Sequence, residues 1–233
     1  MPPKSSSLFG RLGNFLEQPL HAKINRLEMA FYRLKSALYY RHVFGSFGRG
    51  SVICQPILIN NPQFIHIGNN VLIRSGARLE AILSDRSRPP ELRIGDGVNI
   101  EQNVHIVCHS RILIGDQVSI TGNCAIVDVT HPYEDVNDPT KIGDRILPDR
   151  SFVEIGPRSF LGFNTVVLPN VRIGMYCVTG AHSLITRDVA DYSVVAGNPA
   201  KLLRQFDAAK GEWVDKRLST ETEANDSKIG TIS

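Results

Sequence analysis

The sequence of 233 residues predicts an all-β fold in which short strands follow one another in a regular coil. Two observations predict this fold. A four-residue phrase ending in Ile-Gly is repeated along the chain, and between its copies an aliphatic residue recurs at every sixth position. Hydrophobic residues make up 42% of the chain, as in globular proteins, whereas aromatic residues make up only 7%. We therefore expect a core built mainly from aliphatic side chains.

The repeated phrase is aliphatic-x-Ile-Gly, and its last two glycines are 18 residues apart. A period of six does not match the 3.6-residue turn of an α-helix, and a sandwich of unequal strands would not keep it. Because six is even, an extended chain can point one residue of every six towards the same interior. Gly, Asn and Asp after the phrase suit the turns between strands. The five copies are 65–68, 92–95, 112–115, 153–156 and 171–174, and the longest series is Ile155, Leu161, Val167, Ile173, Thr179 and Ile185, with Thr179 as its exception.

An amphipathic helix is predicted before the repeats, because six apolar residues recur at intervals of three and four. Lysines and arginines occupy much of the rest of its surface. Two interpretations remain open: the helix caps the first coil or packs against a neighbouring subunit, or residues 20–41 lie on a membrane surface. The six apolar residues are Leu20, Ile24, Leu27, Phe31, Leu34 and Leu38.

Two segments interrupt the repeat, and the chain ends in a polar stretch. Residues 84–91 are short, polar and Pro-rich, which predicts a surface loop. Residues 128–151 form a longer interruption, and a long loop on a regular scaffold is usually functional. We therefore divide the chain into an N-terminal helical segment (1–50), the repeat domain (51–204) and a partly flexible C-terminal tail (205–233).

Composition excludes several classes of protein. Lysine and arginine exceed aspartate and glutamate by only three residues, too few to indicate a nucleic-acid partner. No apolar run is long enough to predict a membrane-spanning helix, and residues 1–10 lack the features of a secretory signal. The cysteines are spread without a CxxC pair, which favours reduced thiols over a zinc site. We therefore expect a cytoplasmic protein without bound metal, located at the inner face of the membrane if its helix binds lipid.

The six-residue pattern resembles the left-handed parallel β-helix acyltransferases over roughly residues 51–204. The resemblance implies triangular coils of three hexapeptides, stacked at about the 4.8 Å distance between strands. The stretch Val194-Val195-Ala196-Gly197-Asn198-Pro199-Ala200-Lys201 is similar to the C-terminal signature of this family. In such enzymes acetyl-CoA lies between two subunits of a homotrimer, so the resemblance implies acetyl-CoA as co-substrate and active sites shared between subunits.

The long loop begins with a His-Pro pair, at His131 and Pro132, similar to that of galactoside and maltose acetyltransferases. The interval of 16 residues from Gly115 to His131 also matches that family. The resemblance implies that His131 is the general base that removes a proton from an acceptor hydroxyl. Histidine suits this role because its ordinary pKa of about 6.5 leaves it largely neutral at cellular pH.

The same resemblance implies further site residues. Asn103 lies where these enzymes have an asparagine that contacts the acceptor sugar, and an amide can both donate and accept a hydrogen bond. In the next hexapeptide this chain has Cys108 and His109 in place of acidic residues, which argues against galactoside or maltose as the acceptor. Either Asp128 or Glu134 could orient His131, and the sequence does not choose between them. Gly162, Ala181 and Thr186 are expected to contact the pantetheine arm, and Arg187, Lys201 and Arg204 the phosphates.

These residues together predict an acetyl-CoA-dependent acyltransferase that acetylates a sugar hydroxyl in surface polysaccharide or lipopolysaccharide biosynthesis. Three alternatives stay open. The enzyme could acetylate the amine of a nucleotide-linked amino sugar, or the chain could be a non-catalytic scaffold. It could also resemble the γ-class carbonic anhydrases, which bind zinc through three histidines on the same fold; His105, His109 and His131 are the candidates.

Overall fold

The computed structural model describes residues 17–147 and 150–216, and most of these form a parallel β-helix of short strands. Three sheets run along the described part of the helix, and each successive coil adds one strand to every sheet. The first sheet contains β1 (Ser46–Phe47), β4 (Ile65–Ile67), β7 (Glu91–Ile94), β10 (Arg111–Ile114), β13 (Val153–Ile155) and β16 (Val171–Ile173). The second begins with β2 (Val52–Ile53), β5 (Leu72–Ile73), β8 (Asn99–Ile100), β11 (Ser119–Ile120), β14 (Phe160–Leu161) and β17 (Val178–Thr179). The third contains β3 (Leu58–Asn60), β6 (Arg78–Ala81), β9 (His105–Cys108), β12 (Ala125–Val127), β15 (Val166–Val167) and β18 (Leu184–Ile185).

The six-residue series predicted from the sequence forms three interior stacks. In the first sheet, for example, Ile94 pairs with Ile67 below it and with Ile114 above it, and all three side chains are buried. Thr179, the exception in the longest series, is also buried, and its hydroxyl contacts Thr165 Oγ1 at 2.9 Å and the Gly162 amide at 3.0 Å. Because a buried hydroxyl is costly only when it is unpaired, threonine is tolerated in this stack. The predicted all-β fold is confirmed.

The glycines of the repeated phrase lie where neighbouring coils come closest. A Cβ atom on Gly156 would lie 2.5 Å from the backbone carbon of Gly174 in the next coil. No other residue type fits such an approach without moving the backbone. The glycine of the phrase therefore sets the spacing between coils at this corner.

The N-terminal helix packs on the first coil, but not through the predicted apolar face. Helix α1 (Leu20–Lys35) continues through a π-helical turn (Ser36–Tyr40) into the short α2 (Arg41–Val43). Ser36 and Tyr40 are buried, and Ser36 Oγ accepts a 3.0 Å hydrogen bond from the Ile53 amide. Phe44 completes this contact, whereas the six predicted apolar residues all remain exposed in the chain. No helix within residues 17–147 and 150–216 is long and apolar enough to cross a bilayer.

The structure differs from the predicted segment boundaries at both ends of the repeat domain. The first strand, β1, already lies within the predicted helical segment 1–50. At the other end, β19 (Ser193–Gly197), β20 (Ala200–Asp207) and β21 (Glu212–Asp215) extend the second sheet as an antiparallel meander. The predicted tail therefore begins as ordered strand, with Trp213 packed against Phe206. Residues 217–233 lie outside the described part.

Candidate active site

The long interruption, residues 128–151, is a loop that leaves the coil after β12 and is closed at its neck. The Ser151 hydroxyl donates a hydrogen bond to the carbonyl of Asp128. The Leu147 amide donates to the Thr130 carbonyl at 3.2 Å. His131 Nδ1 lies 2.8 Å from the Arg145 carbonyl oxygen. The two ends of the loop are thus joined, and His131 is one of the residues that join them.

The contact with the Arg145 carbonyl determines which tautomer the neutral His131 ring adopts. A carbonyl oxygen can only accept a hydrogen bond, so Nδ1 carries a proton and donates a hydrogen bond to the Arg145 carbonyl. In the neutral ring, Nε2 is then the nitrogen without a proton, and it can accept one from a bound molecule. The His131 side chain is half-buried. This arrangement is the one that a histidine needs in order to act as a general base.

The group that orients His131 is this backbone carbonyl, and not either of the predicted carboxylates. Asp128 is fully buried and accepts hydrogen bonds from the backbone amides of His109, Ser110 (2.8 Å) and Arg111 (2.6 Å). Burial raises the pKa of Asp128, and these amides oppose the shift. Glu134 accepts from the Tyr133 amide at 2.9 Å. Asp128 therefore holds two coils together, whereas the contact of Glu134 is with the neighbouring residue of the loop.

Arg145 was not anticipated from the sequence, yet it organises the loop. Its side chain is only 11% exposed and donates to the carbonyls of Thr140 at 2.8 Å and Asp138 at 2.6 Å. It also donates to the Asp135 carbonyl at 3.1 Å and forms an ion pair with the Asp138 carboxylate at 3.3 Å. One residue thus fixes the far part of the loop with its side chain and His131 with its carbonyl.

Replacing Arg145 by methionine is expected to loosen this loop selectively. The substitution keeps an unbranched, flexible stem but removes every donor that binds the loop carbonyls, so local opening becomes easier. Amide hydrogen exchange should become faster in the peptides that cover residues 129–147 and stay unchanged in the coils. Arg172→Met, which removes an exposed ion pair with Glu154, is the matched control. Unchanged exchange in the loop of Arg145→Met would contradict the organising role.

The other predicted acceptor residues lie elsewhere. Asn103 occupies a corner of the coil with a positive φ of 58°, and its amide donates to Asn123 Oδ1 of the next coil at 3.2 Å. His109 is buried, with Nε2 2.7 Å from Ser84 Oγ of the first interruption. It lines a cleft of about 540 Å³ between the two interruptions, together with Arg88, Arg111, Arg150 and other residues. No hydrogen bond within the described residues joins Asn103 or His109 to His131.

The residues predicted to bind the cofactor form two groups. Gly162 and Ala181 stack at one corner of neighbouring coils, where a Cβ on Gly162 would lie 2.7 Å from the Ala181 amide. Thr186 and Arg187 follow β18 and line a pocket of about 280 Å³ with residues of β20. Lys201 and Arg204 are exposed on β20 itself. Arg187, Lys201 and Arg204 thus all belong to the last coil or the strand beyond it, whereas the glycine corner precedes β18.

The three histidines of the zinc alternative make separate contacts. His105 points outward from β9, where burial lowers its pKa, while His109 contacts Ser84 and His131 contacts Arg145. Within the described ranges, no three His, Cys, Asp or Glu side chains are grouped so that they could hold a metal ion. The four cysteines, Cys54, Cys108, Cys124 and Cys177, are free and buried.

Comparison with known proteins places the chain in a family. The family model for bacterial hexapeptide transferases, with six repeats, matches residues 152–187. The chain is 30% identical over 167 residues to WbbJ of Escherichia coli, provisionally named a lipopolysaccharide biosynthesis O-acetyl transferase; the match covers 70% of this chain and 82% of WbbJ. The chain belongs to the hexapeptide-repeat acyltransferase family, as the repeat and the His-Pro loop predict.

Two further comparisons are less complete. A provisionally named acetyltransferase of Mycobacterium tuberculosis, Rv3034c, is 32% identical over 142 residues, which are 61% of this chain but only 42% of that protein. Among solved structures, a variant of AntD, an N-acyltransferase from Bacillus cereus in complex with dTDP and coenzyme A, superposes with a TM-score of 0.60. It covers 84% of this chain and 95% of AntD at 20% identity, which shows a shared fold.

Proposed function

We propose that this chain is an O-acetyltransferase that moves the acetyl group of acetyl-CoA to a sugar hydroxyl, with His131 as general base. The observation that carries the proposal is the 2.8 Å contact from His131 Nδ1 to the Arg145 carbonyl, which leaves Nε2 able to take a proton. The relationship to WbbJ supports a glycan acceptor, because that relative is named for lipopolysaccharide O-acetylation. Surface polysaccharide or lipopolysaccharide biosynthesis is the corresponding process.

In the proposed reaction His131 first removes the proton from the acceptor and later donates it to the leaving group. Nε2 of His131 accepts the proton of the acceptor hydroxyl while its oxygen attacks the thioester carbonyl of acetyl-CoA. The Arg145 carbonyl stabilises the imidazolium that forms, since it accepts the Nδ1 proton throughout. When the carbon–sulfur bond breaks, His131 returns the proton to the departing CoA sulfur. The products are an acetyl ester and free CoA.

Acetyl-CoA is proposed to bind between subunits of a homotrimer. AntD, which shares the fold, was solved with coenzyme A. In this chain, Arg187, Lys201 and Arg204 are exposed cations at one end of the coil, which suits the phosphates of the cofactor. The buried, free cysteines support a reducing compartment, so we place the enzyme in the cytoplasm.

The test is an acceptor screen with purified full-length protein and acetyl-CoA. Glycans with free hydroxyls and nucleotide-linked amino sugars are offered in parallel, and released CoA is measured with a thiol reagent. The buried protein cysteines should add little background. We expect a product that carries one acetyl group and loses it in mild base, as an ester does. A base-stable amide formed only on amino sugars would overturn O-acetylation in favour of N-acetylation.

A further inference from the structure

The predicted apolar face of α1 has no partner within the described chain. Its six residues, Leu20 to Leu38 as listed above, are between 44% and 73% exposed. The opposite side of the helical segment makes the contact with the coil, through Ser36 and Tyr40. The exposed face therefore points away from the domain that the helix is attached to.

Charged residues flank this face in a pattern that indicates what covers it. At about 100° per residue, the apolar residues centre on the direction of Leu20 and Leu38, and Lys23 and Lys35 lie roughly 60° to either side. Arg26 and Arg33 lie further round, beyond Lys23. Glu28, the only acidic residue of α1, lies about 80° from the strip centre on the side of Lys35. A long cationic side chain beside an apolar strip can extend to lipid headgroups while the strip enters the acyl region. Lys23 suits this role directly, whereas Lys35 Nζ lies 5.1 Å from the centre of the Tyr40 ring and would exchange that contact for a headgroup.

We propose that α1 lies in the plane of an anionic lipid surface, with this apolar face buried among the acyl chains. Charge complementarity favours lipid over a second copy of this chain. Four cations against one acid give α1 a net positive charge, and an anionic surface attracts such a helix. The inference is independent of the acetyl-transfer reaction, because it uses none of the residues of the loop or of the cofactor pockets.

Vesicle flotation of the full-length protein tests the inference. We expect the protein to float with vesicles of phosphatidylglycerol and phosphatidylcholine, to float less at high salt, and to stay behind with phosphatidylcholine alone. The double variant Leu27→Glu/Phe31→Glu should lose flotation while its circular dichroism stays unchanged. Lys23→Gln/Lys35→Gln should float less than the parent. Val136→Glu, which places the same charge on a distant exposed apolar residue, is the matched control and should float normally.

Two outcomes would overturn the inference. Flotation of Leu27→Glu/Phe31→Glu equal to that of the parent would show that the apolar face is not the lipid contact. Failure of the parent to float, together with a smaller oligomer for the double variant in sedimentation analysis, would show that the face joins copies of this chain instead.

Discussion

Replacement of His131 by alanine is expected to lower acetyl transfer by about 10²–10⁴-fold, the usual contribution of a general base. The loss should appear in kcat, because the proton moves only when the acceptor oxygen attacks. Steady-state kinetics with the acceptor found by screening provides the measurement. Thermal unfolding should stay close to that of the parent protein, since the half-buried ring contributes to the loop and not to the interior stacks.

A second substitution separates proton transfer from loop positioning. In His131→Asn the amide nitrogen can still donate to the Arg145 carbonyl, but the side chain cannot accept a proton at the position of Nε2. We expect this variant to be as inactive as His131→Ala while the exchange of residues 129–147 stays like that of the parent. His66→Ala, which removes a half-exposed histidine from the first sheet, should keep full activity. Unchanged turnover in either His131 variant would remove this residue from the base role.

Replacement of Asp128 by alanine is expected to reduce the free energy of unfolding by about 2–4 kcal/mol. The substitution leaves the amides of His109, Ser110 and Arg111 without their acceptor, and each unpaired buried donor costs about 1–3 kcal/mol, offset where water can reach it. Chemical denaturation followed by circular dichroism measures the change. The neck of the loop formed by residues 128–151 should loosen as well, because the Ser151 hydroxyl donates a hydrogen bond to the backbone carbonyl of residue 128.

Asp116→Ala is the matched control for this prediction. Asp116 is exposed and accepts one amide hydrogen bond, from Asp96 of the neighbouring coil at 2.8 Å. Loss of the Asp116 carboxylate should reduce the free energy of unfolding by no more than about 1 kcal/mol, because water can replace a single exposed hydrogen-bond partner. Equal destabilisation by the two substitutions would show that burial of the Asp128 carboxylate is not what makes it important.

The stacked coil could be predicted because the sequence repeats its physical requirement in every turn. Almost every aliphatic residue of the series meets another aliphatic residue above and below, so one period describes the register of the coils, as Ile67, Ile94 and Ile114 show. The threonine in the longest series fits because a second threonine lies opposite it, and that pairing joins residues 14 positions apart. A period alone does not reveal such a pair.

The site and the helix were predicted less completely, for two physical reasons. Amphipathicity shows which face of a helix is apolar but not what covers it, and the coil is instead capped by Ser36, Tyr40 and Phe44. Within the loop, the decisive contacts of Arg145 go to backbone carbonyls, which any sequence offers. Aspartate and asparagine occur at buried turns and coil corners as often as beside a substrate, so the residue types of Asp128 and Asn103 do not reveal their roles.

The regular stacking of coils also fixes the distance along the coil axis between α1 and the His131 loop. α1 lies against the first coil, and the His131 loop leaves the fourth, three strand spacings further along the axis, or roughly 14 Å at about 4.8 Å per coil. If α1 binds lipid and His131 is the base, as proposed above, this distance along the coil separates the base from the lipid-bound helix. On these two proposals, inserting or deleting one whole coil between β3 and β10 would move His131 by about 4.8 Å relative to the helix, and so change which hydroxyl of a lipid-linked acceptor it reaches.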